Sequence, residues 1–311
     1  MIILSNPLVS VVMCTYNGEK YLAEQLNSIL EQTYPNIEVV IIDDCSTDNT
    51  LSIIRQYEAL HSNIKIFVNQ QNLGYVKNFE KGMMLATGSY IALSDQDDIW
   101  EKEKITVLVD EIEDYEIVYC NSLIIDEAGN SLNKKLFDKK RLPHFDNCLN
   151  FTIGNTPPGH AMLITKELTQ RCFPFPDMIP HDRWLGFVAA CKHPVKFVDM
   201  TMVKYRRHPQ NVFGAVKTAG TKRIKKKSDK KEKLEQIRER MHLQYLKCPE
   251  QLVLQKKVLL DLDVSYTSFS LKNNFNRMML FFWNRNEILA YKQKSNFRKW
   301  LFCLKMFYKI K

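Results

Sequence analysis

Three carboxylates follow an apolar strand in the segment Thr87-Gly88-Ser89-Tyr90-Ile91-Ala92-Leu93-Ser94-Asp95-Gln96-Asp97-Asp98-Ile99-Trp100. Side chains alternate along an extended backbone, so Asp95 and Asp97 are predicted to face one hard divalent cation while Gln96 points away. Such a cation would neutralise a diphosphate. The alternative interpretation is an Asp-rich surface turn after a strand.

Strand and helix patterns alternate around this segment, which predicts an α/β fold with a mostly parallel sheet. The predicted strands are Leu8–Met13, Ile37–Ile42, Ile64–Val68 and Tyr90–Leu93. Helices are predicted from Glu19 to Gln32, after Asp48, from Tyr75 to Ala86 and from Glu101 to Glu113. Ligands bind at the carboxyl ends of strands in such sheets, and the carboxylates follow one of these ends.

The pattern is less regular after Trp100. A strand is expected at Glu116–Cys120 and a loop from Asn133 to Pro158, a length that is typical of functional or mobile loops. Further elements are expected at Met162–Thr165, Arg183–Cys191, Val195–Val198 and Met202–Arg206. We predict a catalytic domain at 1–215 and a separate helical region at 216–311.

Charge is distributed unevenly along the 311 residues, 45% of which are hydrophobic. Residues 1–216 contain 20 Lys and Arg against 27 Asp and Glu, whereas residues 217–311 contain 24 against 8. The eight cysteines lack the close pairs that a structural zinc site favours, so we expect small core residues in a reducing cytosol. No basic leader and no apolar run long enough to span a bilayer is seen, so neither export nor a transmembrane helix is expected.

Six segments, taken together and in their order along the chain, resemble the motifs of a known family. They are Val11–Asn17, Val40–Asp48, Asn72-Leu73-Gly74, Ala86–Trp100, His181-Asp182 and Tyr205-Arg206-Arg207-His208. Together they resemble family 2 glycosyltransferases with the GT-A fold, over roughly residues 8–214. This implies a Rossmann-like, mixed but mostly parallel sheet flanked by helices. The strongly basic residues 217–311 are expected to form a helical C-terminal appendage. The motif Ser-Asp-Gln-Asp-Asp-Ile-Trp at residues 94–100 resembles the corresponding motif of bacterial rhamnosyltransferases that build surface polysaccharides.

The resemblance implies a nucleoside-diphosphate sugar donor, linked to UDP or dTDP. The implied donor-binding residues are Thr15, Tyr16, Asn17, Glu19, Asp44, Lys77, Asp95 and Arg206, with Arg207 as a second diphosphate candidate. Asp44 would accept a hydrogen bond from the N–H of a pyrimidine, while Asp43 would support the turn. The alternative for Asp44 is helix capping together with Ser46 and Asp48.

The resemblance also implies Mn²⁺ or Mg²⁺ as a cofactor. Asp97 would bind the ion directly, and Asp95 would contact it indirectly or contact the ribose. His208 is a further candidate ligand, and its imidazole would favour manganese. The alternative is that His208 is a surface residue before Pro209.

Asp182 matches the position of the family's catalytic base, which would remove the proton from the attacking hydroxyl and lead to inversion. The usual Glu-Asp pair reads His181-Asp182 here, and Asp182 is also a candidate helix N-cap. His160, His181 and Trp184 are assigned to the acceptor region. Trp100 and Trp184 are interpreted either as sugar-stacking residues or as core aromatics. Rhamnose is the first expected sugar, and galactose or another hexose the next.

Basic and aromatic residues alternate near the C-terminus, from Phe297 to Lys309. This pattern suits an anionic membrane surface, where an acceptor carried on a polyprenyl diphosphate would lie. We therefore expect a cytoplasmic protein on the inner face of the cell membrane. The alternative is a helical appendage that packs on the catalytic domain or forms an oligomer with a second subunit.

Three rival functions are weaker. Lys222–Lys233 would suit a nucleic-acid-binding protein, but the main domain is acidic and has no recognised nucleic-acid module, so no nucleic-acid partner is expected. A sugar nucleotidyltransferase would carry a Gly-rich phosphate loop near the first strand, which is missing here. A dinucleotide oxidoreductase would carry a GxGxxG motif after a strand, and no predicted strand in this sequence is followed by one.

Overall fold

The computed structural model describes residues 6–137, 145–154, 157–209, 211, 230–292 and 295–309. The chain divides into two compact units. The described residues within Met1–Leu142, Pro157–Phe175 and Lys196–Lys222 form the first unit. Those within Pro143–Thr156, Pro176–Val195 and Arg223–Lys311 form the second.

A mixed sheet is the framework of the first unit. Its strands are β1 (Val9–Thr15), β2 (Ile37–Asp43), β3 (Ile64–Val68), β4 (Tyr90–Ser94), β5 (Ile99–Trp100), β6 (Ile117–Ile125), β7 (Ser131–Lys135), β8 (Met162–Thr165) and β9 (Lys196–Arg206). Their order is β3-β2-β1-β4-β8-β6-β9-β5, and β7 pairs with β6. Neighbours from β3 to β4 are parallel, as are β6 and β9, whereas β8 is antiparallel to both β4 and β6. This confirms the predicted α/β fold.

Helices of the first unit cover the sheet with their apolar faces. They are α1 (Leu22–Leu30), α2 (Thr50–Leu60), α3 (Tyr75–Leu85), α4 (Lys104–Ile112) and α5 (Lys166–Cys172). Leu22, Leu26 and Ile29 recur at helical spacing and are buried against β1 residues such as Val11 and Met13 in one core cluster. Periodic burial of this kind is what allowed these helices to be predicted.

Two sequence-based expectations for the first unit were wrong. The expected loop from Asn133 overlaps β7, whose five residues are all exposed, so no apolar alternation marks it as a strand. The two strands expected between Val195 and Arg206 are one strand, β9. Irregular register in β6 around Asn121 lets β9 continue along it.

The second unit is helical. It contains α6 (His181–Ala189), α7 (Lys230–Lys247), α8 (Val253–Ser265), α9 (Leu271–Trp283), α10 (Arg285–Ile288) and α11 (Asn296–Lys305), with short 3-10 helices at Cys148–Phe151 and Ala290–Lys292. None of the helices in the described ranges combines the length and apolar character needed to cross a bilayer.

The division into units differs from the predicted domains. The predicted boundary at 215/216 lies outside the described residues. Segments 143–156 and 176–195 were assigned to the catalytic domain, but their described residues belong to the second unit. There, Phe145 pairs with Val195, and the Arg183 guanidinium donates to the Phe151 carbonyl at 2.7 Å. These contacts join residues distant in sequence, so no local pattern predicts them.

Candidate functional site

The site lies in the first unit, where three parallel strands end side by side. Thr15 of β1 is in register with Asp43 of β2, and Met13 of β1 with Ser94 of β4. The turns that follow these strands therefore meet at one edge of the sheet. This edge carries the carboxylates, as the strand pattern predicted.

The turns after β1 and β2 brace each other. Asn17 has a positive φ of 48°, and its side-chain oxygen accepts from the Thr47 N–H at 2.8 Å. Glu19 accepts from the backbone and side-chain amides of Asn49 at 2.9 and 2.7 Å. Asp43 accepts from Thr15 Oγ1 at 3.0 Å and stabilises its own turn. Thr15, Asn17 and Glu19 thus shape the predicted donor pocket by holding its two turns together.

Gln96 connects the turn after β1 to the carboxylate segment, although the sequence pattern predicted that it points away. Its Oε1 accepts from the Tyr16 N–H at 2.9 Å, and its Nε2 donates to the Tyr16 carbonyl at 3.1 Å. The Tyr16 side chain is 47% exposed. A fixed backbone with an open aromatic ring is suited to stacking against a planar base.

Asp44 is almost fully buried and holds the loop that precedes α3. Its Oδ1 accepts from Asn69 Nδ2 at 2.7 Å and from the Leu73 N–H at 2.8 Å, and its Oδ2 accepts from the Gly74 N–H at 2.9 Å. A carboxylate has about four acceptor positions, and the described residues fill three of them, two on Oδ1 and one on Oδ2. Asn69 was not identified from the sequence, where it is one of several polar residues after a strand.

Asp97 and His208 form one carboxylate–imidazole pair. His208 Nε2 lies 2.7 Å from Asp97 Oδ2, and Asn211 Nδ2 donates to the same oxygen at 3.2 Å. The Asp97 and His208 side chains are 13% and 8% exposed. Within the described part of the chain, His208 Nδ1 is a buried atom with no hydrogen-bond partner. The structure therefore brings together the two residues that were predicted to bind the metal directly.

A second carboxylate–imidazole group contains Asp95, Asp98 and His160, whose ligand atoms all lie within 4.8 Å of one another. His160 Nδ1 is 3.8 Å from Asp95 Oδ2 and 3.9 Å from Asp98 Oδ2. His160 was assigned from the sequence to the acceptor region, and its position beside two carboxylates was missed. The contact is long-range, so no motif in the sequence marks it.

Asp98 is completely buried, and only one of its two carboxylate oxygens accepts a hydrogen bond from the described residues. Its Oδ1 accepts from the Arg206 N–H at 3.0 Å, while Oδ2 has no hydrogen-bond partner among the described residues. Burial, together with the negative charges of Asp97 and Asp95, raises the pKa of Asp98 well above its usual range. The protonated form of this carboxyl is therefore favoured relative to an exposed aspartate.

His160 and Lys104 form a buried layer beneath the carboxylates. His160 Nε2 lies 3.0 Å from Ser122 Oγ, and the ring stacks on Tyr205 at 4.7 Å. Burial, assisted by the charge of Lys104, lowers the pKa of His160 to about 3. Lys104 donates to the His160 carbonyl at 2.7 Å, and burial lowers its own pKa to about 7. His160 is therefore a neutral imidazole that can donate a lone pair.

The donor set at this edge fits the predicted divalent cation. Carboxylate oxygens suit Mg²⁺ and Mn²⁺, and an added imidazole favours Mn²⁺. Asp98 Oδ2 and His208 Nδ1 have no hydrogen-bond partner in the described ranges, and a cation or its water would supply one. Both carboxylate–imidazole groups meet this chemical requirement.

Arg206 was predicted to contact the diphosphate, but the structure assigns it a supporting position. Its side chain is 1% exposed, and its guanidinium donates to the carbonyls of Asp97 at 2.9 Å and Glu127 at 3.1 Å and pairs with Glu24. Arg207 is only partly buried, and within the described residues its Nε has no hydrogen-bond partner. Arg207 is thus the more exposed of the two residues.

Of the other predicted residues, Lys77 belongs to the first unit, whereas His181, Asp182 and Trp184 belong to the second. Lys77 Nζ donates to Glu80 at 2.8 Å and to the Phe175 carbonyl at 2.7 Å. Asp182, in the first turn of α6, accepts from the Arg183 N–H at 2.7 Å, and burial lowers the pKa of His181 to about 3. Trp184 is 3% exposed and stacks on Phe187 at 5.8 Å, which favours the core interpretation over sugar stacking.

The chain is similar to several curated proteins. It is 34% identical over 219 residues to the dTDP-rhamnosyl transferase RfbG of Shigella flexneri, covering 65% of this chain and 74% of RfbG. It is 33% identical over 152 residues to a chondroitin synthase of Escherichia coli, covering 47% of this chain and 22% of the synthase. In three other curated glycosyltransferases that it matches, the chain spans 33%, 60% and 46% of their length.

The fold is similar to that of a solved structure, and the sequence matches a family model. The crystal structure of S. aureus TarS 1-349 in complex with UDP-GlcNAc matches with a TM-score of 0.61 at 20% identity, covering 96% of this chain and 80% of that chain. Residues 10–172, more than half of the chain, match the family described as Glycosyl transferase family 2. Together with the similarity to RfbG, this confirms the resemblance seen in the motifs: the chain belongs to glycosyl transferase family 2.

Proposed function

We propose that this protein transfers a sugar from a nucleoside-diphosphate donor to a hydroxyl of a glycan acceptor in bacterial surface polysaccharide synthesis. The observation that carries the proposal is the meeting of the braced turns after β1 and β2 with the Asp95–Asp98 carboxylates at one sheet edge. Rhamnose on dTDP is the first donor to test, because RfbG is a dTDP-rhamnosyl transferase. UDP-linked galactose or another hexose is the next.

The donor would bind with its base against Tyr16 and near Asp44. The exposed Tyr16 ring supplies a stacking face, and the remaining acceptor position on Asp44 Oδ2 supplies a bond to an imide N–H. Arg207 would contact the diphosphate, because its planar guanidinium matches phosphate oxygens. Arg206 would act one layer below, by fixing the backbone of Asp97.

Asp97 and His208 would hold Mn²⁺ or Mg²⁺. A bound cation of this kind stabilises the negative charge of the departing nucleoside diphosphate. Asp97 would orient the imidazole of His208, and Asn211 would orient the Asp97 carboxylate through its donated hydrogen bond. Asp95, Asp98 and His160 offer the alternative donor set.

Asp182 is the proposed base. Its carboxylate would accept the proton of the acceptor hydroxyl as that oxygen attacks the anomeric carbon, and direct displacement would invert the configuration there. The first turn of a helix suits a carboxylate, because the helix dipole stabilises its ionised form. An ionised carboxylate is the form that a base requires.

An acceptor linked to polyprenyl diphosphate at the inner face of the cell membrane would match the surface of α11. Phe297, Trp300 and Leu304 of this helix are 67%, 40% and 37% exposed, while Phe302 and Cys303 are buried. Exposed Arg298 and Lys305 lie on the same helix. Aromatic and basic side chains together suit an anionic lipid surface. The competing occupant of this surface is a second copy of the chain.

The test compares wild type with Asp182→Asn, using a donor that wild type consumes. We expect an inverted product, and a turnover lower by about 10²-fold or more in the variant with unchanged binding of the donor. Near-normal turnover would move the base to another residue. A product with retained configuration would reject direct displacement.

A further inference from the structure

Three cysteines that lie far apart in the sequence meet within the second unit. Cys148 begins a 3-10 helix, Cys191 follows α6, and Cys248 follows α7. Their sulfur atoms all lie within 4.8 Å of one another. Cys148 and Cys248 are 1% and 2% exposed, and Cys191 is partly buried. A thiol cluster of this kind is a donor set that the proposed transfer reaction does not use.

We propose that Cys148, Cys191 and Cys248 bind one Zn²⁺ ion. Zinc–sulfur bonds of about 2.3 Å in a tetrahedral site place sulfur atoms about 3.8 Å apart, which is within the observed limit. The group contains three protein ligands among the described residues, so water would take the fourth position. Thiolates are soft ligands that select Zn²⁺ over Mg²⁺ and Mn²⁺, so this site differs in chemistry from the carboxylate edge.

The ammonium of Lys256 lies near the three cysteines and would counter the negative charge of a zinc–thiolate site. Three thiolates around Zn²⁺ carry one net negative charge, which is unfavourable in a buried position without compensation. The Lys256 ammonium donates to the Cys248 carbonyl at 2.9 Å and therefore lies beside the cluster. Lys256 also pairs with Glu250 at 2.7 Å, which fixes its position. The ammonium, which the zinc–thiolate centre would share with Glu250, would offset part of the charge of that centre.

The role of the ion would be to connect three parts of the second unit. Each ligand lies at an end of a helical element, and the three elements come from segments separated in the sequence by parts of the first unit. A metal that binds only when these ends are together adds its binding free energy to folding. The spacing of the cysteines hides the site, because no two of them are close in sequence.

Metal analysis of the full-length protein, purified from zinc-supplemented medium through a tag that does not bind metals, tests the proposal. We expect about one zinc per chain in wild type. Cys148→Ser, Cys191→Ser and Cys248→Ser should each lose most of it. The control is Cys303→Ser, another buried cysteine of the second unit, whose thiol donates to the Phe281 carbonyl at 3.3 Å, and it should retain zinc. A wild-type protein without zinc, or equal loss in the control, would overturn the proposal.

Because the serine variants can fail to fold, wild type itself provides a second test. Exchange of the metal for Co²⁺ should give thiolate-to-cobalt charge-transfer absorption. Removal of zinc with a chelator should lower the unfolding temperature, since the ion stabilises only the folded chain. Absence of this absorption, copper in place of zinc, or a disulfide between two of these cysteines in protein purified without reductant would each contradict a zinc site.

Discussion

The side-chain amide of Gln96 binds both backbone atoms of Tyr16, accepting from its N–H at 2.9 Å and donating to its carbonyl at 3.1 Å. This pair joins the turn after β1 to the carboxylate segment after β4. A side chain at Gly18 would collide with the Gln96 amide in its present position, so a larger residue there would displace the amide from Tyr16. The turn proposed to bind the base and the segment proposed to bind the cation are therefore joined directly.

Gln96→Ala should weaken donor binding and lower the free energy of unfolding by no more than about 2 kcal/mol. Two hydrogen bonds of about 1 kcal/mol each hold the Tyr16 turn, so KM for the donor should rise about tenfold or more. Donor kinetics and calorimetric binding of the nucleoside diphosphate measure this. Gln32→Ala is the matched control, because that amide also bonds backbone groups, those of Ser28, Glu101 and Ile105, in the first unit. Equal effects on KM in both variants would contradict a specific role for Gln96.

Substitution of Arg206 should lower fold stability, whereas substitution of Arg207 should weaken binding of the nucleoside diphosphate. Arg206→Ala removes a buried guanidinium that holds Asp97, Glu127 and Glu24, and should destabilise the fold by about 3 kcal/mol or more. Arg207→Ala should leave the unfolding temperature nearly unchanged and weaken binding of the nucleoside diphosphate. Thermal denaturation and calorimetry on both variants separate the two roles. Reversed results would restore Arg206 as the diphosphate contact.

Glu38 should make the stability of the first unit depend on acid pH. Burial raises its pKa, but hydrogen bonds from Lys65, Ser10 and Thr87 outweigh burial and lower the pKa to about 2. The pKa is lower in the folded state than in the unfolded state, so ionised Glu38 stabilises the fold at neutral pH. That contribution, on the order of 2–3 kcal/mol, is lost as the pH falls from about 5 towards 2.

Glu38→Gln removes this titration and isolates its effect. The difference in unfolding free energy between wild type and the variant should be largest near pH 7 and should shrink as the pH falls below about 4. Denaturant titrations across this range measure it. A difference that stays constant with pH would show that the carboxylate is not stabilised in the folded state.

Much of the fold was predictable because its signal is local. Alternating apolar strands and amphipathic helices gave the sheet, and the carboxylates after β4 followed from strand direction alone. Strand β7 was missed because its residues are polar and exposed. The membership of segments 143–156 and 176–195 in the second unit was missed because it rests on long-range packing.

The site was predictable only in part, for the same reason. The residue types at the strand ends indicated which side chains would gather, and Asp97 and His208 do meet. The partners of Gln96, the buried position of Arg206 and the approach of His160 to Asp95 depend on tertiary contacts. Residue type alone does not distinguish an arginine that binds phosphate from one that supports a loop.

The two carboxylate–imidazole groups give opposite expectations for a matched pair of histidine variants. His208→Ala should weaken Mn²⁺ activation at least about tenfold, because it removes a proposed ligand beside Asp97. His160→Ala should lower stability, since it opens a buried stack against Tyr205, with a smaller effect on Mn²⁺ affinity. Titration of activity with Mn²⁺ checks both. Loss of Mn²⁺ affinity only in His160→Ala would move the cation to Asp95, Asp98 and His160.

The most direct measurement is the release of nucleoside diphosphate from a panel of UDP- and dTDP-linked sugars, with and without Mn²⁺, for wild type and Asp97→Ala. We expect wild type to consume at least one donor in the presence of the metal and to stop in excess chelator. Asp97→Ala should retain its circular dichroism spectrum and lose nearly all turnover. Full activity of wild type in excess chelator, or normal activity of Asp97→Ala, would contradict a metal-dependent transfer at this sheet edge.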